Sequence, residues 1–147
     1  CKFTFLSACL KVSITILNRF ISLPTQKQKK TETSEIVRHA KRISKLMVEK
    51  KALDIKIIDV RKITTLTDFF VVCTSDSEPQ SKAIYNHITD NLSELGIKPW
   101  HTEGLNTAEW VLLDYSDIVV HVFQEQTREF YRLEDLWGDA KIRTIEN

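Results

Sequence analysis

Two short apolar runs separated by three residues constrain this chain more than any other feature. Trp110–Asp114 (WVLLD) and Ile118–Phe123 (IVVHVF) are rich in β-formers. Tyr115-Ser116-Asp117 between them is turn material and too short for a crossover, so the runs are expected to pair as an antiparallel hairpin. Alternation along the first strand puts Trp110, Leu112 and Asp114 on one face, and Val111 and Leu113 on the other. Thr127–Ala140 follows, with Phe130, Leu133, Trp137 and Ala140 at helical spacing, which predicts one helix with a core-facing stripe.

Upstream, Thr33–Lys50 reads as an amphipathic helix capped by Thr33 or Ser34, with Ile36, Val37, Ala40, Ile43, Leu46 and Met47 on its apolar stripe. Arg38, Lys41, Arg42 and Lys45 lie mostly opposite, as a solvated basic face or a phosphate-binding patch. Leu53–Val60 is a strand. Phe69–Thr74 is a second, apolar on both faces and therefore central. Asp68, just before it, reads as a turn cap or a ligand contact. Ser77–Leu95 is a second helix: Ser77 and Gln80 form a capping box, Pro79 sits in the first turn, and Gly96 follows the last. Asp76 adds negative charge where an anion would sit, which favours a plain capped helix over a phosphate cradle. Ile97–Thr102 is a third strand, placed near an edge by Pro99, and Glu103-Gly104 after it reads as a turn in which glycine supplies an unusual backbone angle. The order is α-β-β-α-β-β-β-α, an α/β fold with a mixed sheet of about five strands flanked by helices.

The formal charge of +1 hides an asymmetry. Residues 1–31 hold six of the 21 basic residues and none of the 20 acidic ones, so the remainder is net acidic. A net acidic domain suits a basic protein partner better than bulk nucleic acid. Residues 1–31 read as an extension outside the domain, which spans 32–147. The extension is upstream translated sequence, a fragment boundary or a transit peptide. Lys11, Asn18 and Arg19 interrupt it too often for a membrane anchor.

Catalytic constellations are scarce. Cys73 ends an apolar strand as a buried thiol, and the three cysteines show neither zinc nor disulfide spacing. His39, His87, His101 and His121 are scattered. Asp114-x-x-Asp117-x-x-x-His121 spans a turn and lacks the ligand count of a metal site. His121, between two valines, reads as a structural histidine before a base. No cofactor or metal is expected.

The run HTEGLNTAEWVLLDYSDIVVHVFQEQTREFYRLEDLW, with Thr67-Asp68-Phe69-Phe70-Val71-Val72 upstream, closely resembles the ribosomal silencing factor, or Iojap-like, family. The resemblance covers about residues 34–142. In the loop after Phe69–Thr74 family members usually carry a glycine where this chain has Ser75. The family's sheet is similar to that of nucleotidyltransferases, whose catalysis needs paired carboxylates on Mg²⁺; no Asp-x-Asp occurs in this sequence. The resemblance implies a non-enzymatic translational repressor. It would bind the large ribosomal subunit through its L-fourteen family protein and sterically block joining of the small subunit when nutrients are short. A degenerate enzyme or an adaptor in ribosome assembly is the alternative. Neither sequence-specific nucleic-acid binding nor a membrane is implied, and a homodimer is a further reading. The compartment is the bacterial cytoplasm, or an organelle if residues 1–30 are a transit peptide. The residues expected at the partner interface are Trp110, Leu112, Leu113 and Asp114, with Asp117, His121 and Arg128 nearby. Trp110 would be an exposed anchor and Asp114 a charge partner; the competing reading makes Trp110 core. Leu112 and Leu113 face opposite sides, so at least one should be core. Phe130, Tyr131, Leu133, Leu136 and Trp137 read as core or a self-association surface.

Overall fold

Phe69–Ser75 (β2) is buried at every position, and the sheet around it explains why. The computed structural model describes residues 32–146. The extension, with Cys1 and Cys9, lies outside them. The elements are α1 (Glu32–Glu49), β1 (Leu53–Asp59), β2, α2 (Glu78–Glu94), β3 (His101–Glu103), β4 (Trp110–Asp114), β5 (Ile118–Gln124), α3 (Glu125–Tyr131), α4 (Leu133–Leu136) and β6 (Lys141–Ile145). The six strands lie in the order β3-β4-β5-β2-β1-β6. β2 and β5 run parallel at the centre, Phe69 opposite Ile118, and the other neighbours are antiparallel. One face buries Ile55, Ile57, Val71, Cys73, Val111, Leu113, Val120 and Val122 under α1 and α2. The other buries Ile58, Phe70, Val72, Trp110, Leu112 and Phe123 under α3 and α4. A strand covered on both faces has no solvent side, so its apolar run is continuous.

The α/β class holds, with one strand more than expected. β6 adds to β1, Ile55 opposite Ile145 and Asp59 opposite Lys141. The third strand is shorter and later than Ile97–Thr102: only His101–Glu103 pairs with β4. The C-terminal helix is broken. Arg132 takes a left-handed conformation (φ 47°) between α3 and α4. The break turns Leu133 into the core at 1% exposure and leaves Phe130 at 52%, so the continuous stripe through Phe130 and Leu133 does not form. α2 is capped by Ser77 as expected, its hydroxyl accepting from the Gln80 N–H, while the Gln80 side chain reaches one residue beyond the cap and accepts from the Asp76 N–H in place of the Ser77 N–H of a regular capping box. Burial pushes the Cys73 thiol up to about 12, so it is held as an inert thiol.

Gly104 ends β3 with φ +84°, as the expected turn requires. A Cβ there would lie 1.9 Å from the Trp110 carbonyl oxygen. The bend folds the Gly104–Glu109 loop against the start of β4. Gly104→Ala is therefore expected to destabilise by about 2 kcal/mol, from left-handed strain plus backbone displacement. Urea unfolding checks this; a midpoint equal to wild type would mean the close approach is not enforced.

Candidate functional site

The hairpin forms as expected, with Trp110 opposite Phe123 and Leu112 opposite His121. Its side chains do not face solvent. Trp110 is 5% exposed, and Leu112, Leu113, Asp114 and His121 are fully buried. The expectation of an exposed Trp110 anchor is corrected here: α3 and α4 roof over the face on which an exposed tryptophan would stand. Leu112 and Leu113 are both core, in opposite layers, because both faces of the sheet are covered.

Beneath α3 and α4 the aromatic rings are continuous. Trp110 stacks on Phe123 (centroids 4.8 Å apart) and touches Tyr131 (5.1 Å). Phe70 contacts His121 (5.3 Å) and Trp137 (5.2 Å). The Trp110 indole Nε1–H donates to His121 Nδ1 at 3.0 Å. An Nδ1 that accepts places the proton of the neutral imidazole on Nε2. His121 is thus oriented by an indole inside an apolar layer, which fits a structural histidine rather than a base open to substrate.

Asp114 is a turn carboxylate. Its Oδ1 accepts from the Ser116 N–H at 2.9 Å, and its carbonyl accepts from the Trp100 N–H at 2.7 Å. That duty, with full burial, removes it as a surface charge partner. Asp117 is half-buried; its carbonyl accepts the N–H groups of Asp68 and Phe69 (3.0 and 3.1 Å), tying the hairpin turn to the entrance of β2. The aspartates and His121 are not gathered into a ligand shell. Among the described residues, no group of three or more His, Cys, Asp or Glu side chains is placed to hold a metal ion.

Arg128 is buried too, at 7% exposure. Its Nη1 donates to the Asp54 carbonyl (2.6 Å) and the Thr74 hydroxyl (2.7 Å). Its Nε donates to Glu134 Oε1 at 2.9 Å, and its Nη2 pairs with Glu134 and with Asp54 Oδ2. Asp54 sits at φ 46° where β1 shifts register against β2, so one guanidinium binds an irregular strand end to two helices. Around it lies a cleft of about 510 Å³ lined by Leu53, Asp54, Lys56, Thr74, Glu125, Arg128, Glu129, Arg132, Glu134 and Asp135.

The surface that remains over the hairpin is the α3–α4 layer. Phe130 stands 52% exposed, edge-on to Tyr131 (5.1 Å, 87°), and Tyr131 rests on Trp110. Glu125, Glu129 and Asp135 are exposed on the same two helices. An exposed aromatic with a rigid support and an acidic rim has the make-up of an interface anchor. Sequence reasoning assigned Phe130 to core or self-association. Its exposure follows from the break at Arg132, a non-glycine in left-handed backbone that carries no composition signal.

Comparison with known proteins agrees across sequence and structure. The family model described as "Ribosomal silencing factor during starvation" matches residues 31–147. The ribosomal silencing factor RsfS of Bacillus subtilis is 41% identical over 98 residues, 67% of this chain and 83% of that protein. The chloroplastic protein Iojap of Zea mays is 34% identical over 109 residues, 74% of this chain and 47% of that protein. A crystal structure of a protein from Chromobacterium violaceum superposes with a TM-score of 0.65 at 35% identity, covering 78% of this chain and 92% of that one.

Proposed function

Since this chain belongs to the ribosomal silencing factor family, we propose that it docks on the large ribosomal subunit through the L-fourteen family protein and keeps the small subunit from joining. The action is steric and uses no chemistry. The observation that carries the docking face is the acidic α3–α4 layer with Phe130 exposed on it. Ribosomal proteins are typically basic, so charge complementarity steers the approach and the aromatic ring supplies the desolvated centre. Trp110, Leu112, His121 and Arg128 serve this face from beneath, by fixing where α3 begins and how Tyr131 is seated, while Leu113 packs in the opposite layer and Asp114 and Asp117 hold the hairpin turn. Relatives from a bacterium and, by name, from the chloroplast support a bacterial-type ribosome as the target, in the bacterial cytoplasm or in an organelle.

Co-sedimentation of the full chain with purified large and small subunits tests the proposal, with light scattering to follow subunit joining. Selective binding to the large subunit and slowed joining are expected. Phe130→Ala should leave thermal unfolding close to wild type, because the ring is half in solvent, yet weaken binding by about 2 kcal/mol. Wild-type affinity in a folded Phe130→Ala protein would move the contact off this face. Binding to neither subunit would remove the proposed function.

A further inference from the structure

The acidic excess of the domain is not spread evenly. A cleft of about 230 Å³ opens on the opposite layer, where α1 meets the β6 edge of the sheet. Its floor is Val37, Ala40, Ile57 and Phe69, and its rim carries Lys41, Arg61, Lys141 and Arg143 against one carboxylate, Asp59. Register explains the rim. Arg143 lies opposite Ile57 and Lys141 opposite Asp59, so alternation aims both cations to the side that α1 covers. At this edge β6 continues the apolar face of β1 with positive charge.

Arg61 is committed to Asp59 through two hydrogen bonds (2.9 and 2.6 Å) and lies 4.8 Å over the Phe69 ring. That neutralises the only acid of the rim. Lys41 and Arg143 form no ion pair with another described residue; Lys141 makes none within 4 Å, although it lies opposite Asp59 and its charge helps to hold that carboxylate ionised. From Lys41 the charge continues along α1: Arg38, Lys41, Arg42 and Lys45 are all exposed at spacings of three and four, which puts them on one helical stripe, with Arg38 at its end also paired with the exposed Glu35 (3.6 Å). A small anion would need only the rim. A cleft that runs out into a stripe of cations fits an elongated polyanion, held by its backbone charge and not by base edges.

We propose that the α1–β6 cleft and the α1 stripe form a second contact, to the phosphate backbone of RNA, read without regard to sequence. As a contact to ribosomal RNA, it rests on the docking reading above and deepens it: the acidic layer meets protein while the basic layer meets RNA. Lys141, Arg143 and Lys41 make the central phosphate contacts, and Arg38, Arg42 and Lys45 extend them.

The test compares the full chain with the double variant Lys141→Gln/Arg143→Gln, whose exposed sites should leave thermal unfolding unchanged. Three probes are used across a salt series: large subunits, isolated L-fourteen protein, and a protein-free double-stranded RNA hairpin. Poly-glutamate serves as competitor. Wild type is expected to bind the RNA hairpin. The double variant should bind it at least tenfold more weakly, with the salt slope reduced by about two, one for each phosphate no longer neutralised. Affinity for isolated L-fourteen protein should stay unchanged, and affinity for large subunits should fall. RNA binding that the double variant retains in full would overturn the proposal, as would poly-glutamate displacing the RNA at equal charge, which would assign the cleft to an acidic protein. The hairpin arm keeps the two readings separable. Loss of RNA binding in the variant without any binding to large subunits would sink the docking reading and leave the basic cleft standing.

Discussion

Trp110→Ala is expected to destabilise the protein by about 4 kcal/mol, the range for emptying a buried tryptophan site. The indole fills the space between Phe123 and Tyr131 and orients His121. Its removal opens a cavity, frees the imidazole and unseats the ring beneath Phe130. Denaturant unfolding should show the midpoint falling with little change in slope. Ribosome binding should then fall in step with the folded fraction. Trp110→Phe refines the test: it keeps most of the volume, forfeits the hydrogen bond and should cost about 1 kcal/mol. An alanine variant as stable as wild type that no longer binds would make Trp110 a direct contact.

Arg128→Met should destabilise by about 3 kcal/mol. Methionine keeps the stem's packing but leaves Glu134, at 18% side-chain exposure, without its counter-charge and the Thr74 hydroxyl without its donor. The larger consequence is geometric, because β1 is irregular where Asp54 turns back and the guanidinium holds that turn. Arg128→Lys should recover only part of the loss, since an ammonium cannot serve the Asp54 carbonyl, Thr74 and Glu134 from one planar fork. Urea midpoints of the three proteins check the order: arginine, then lysine, then methionine. Equal midpoints for all three would show that the buried pair does not hold β1.

Much of this fold is legible in the residues. The hairpin, the central β2 and the capped α2 each obey a local rule: a short turn, a two-faced apolar run, a capping box. Gly104 was readable for the same reason. β6 escaped notice although Lys141-Ile142-Arg143-Thr144-Ile145 alternates with β-formers, because a mostly exposed edge strand has no apolar run to announce it. The break at Arg132 escaped because it is set by tertiary demands, with Leu133 driven inward and Glu134 reaching back to Arg128. The exposure expected of Trp110 fails for one reason. Alternation assigns each side chain to a face of the sheet, but it cannot say whether a helix arriving twenty residues later covers that face. Family membership was carried by the same buried residues, which mark the fold more than the contact.

The pairing of β1 with β6 has a bearing on synthesis. Residue 55 finds its outer neighbour at residue 145, and β2 finds its central partner only at residues 118–124. Local contacts cannot complete this sheet, so folding must close long loops before burial rewards them. A nascent chain halted before residue 140 leaves β1 with one unpaired edge and the α1 cleft without its outer wall. A protein that acts on ribosomes therefore cannot finish its own sheet until those residues have left the exit tunnel of the ribosome making it.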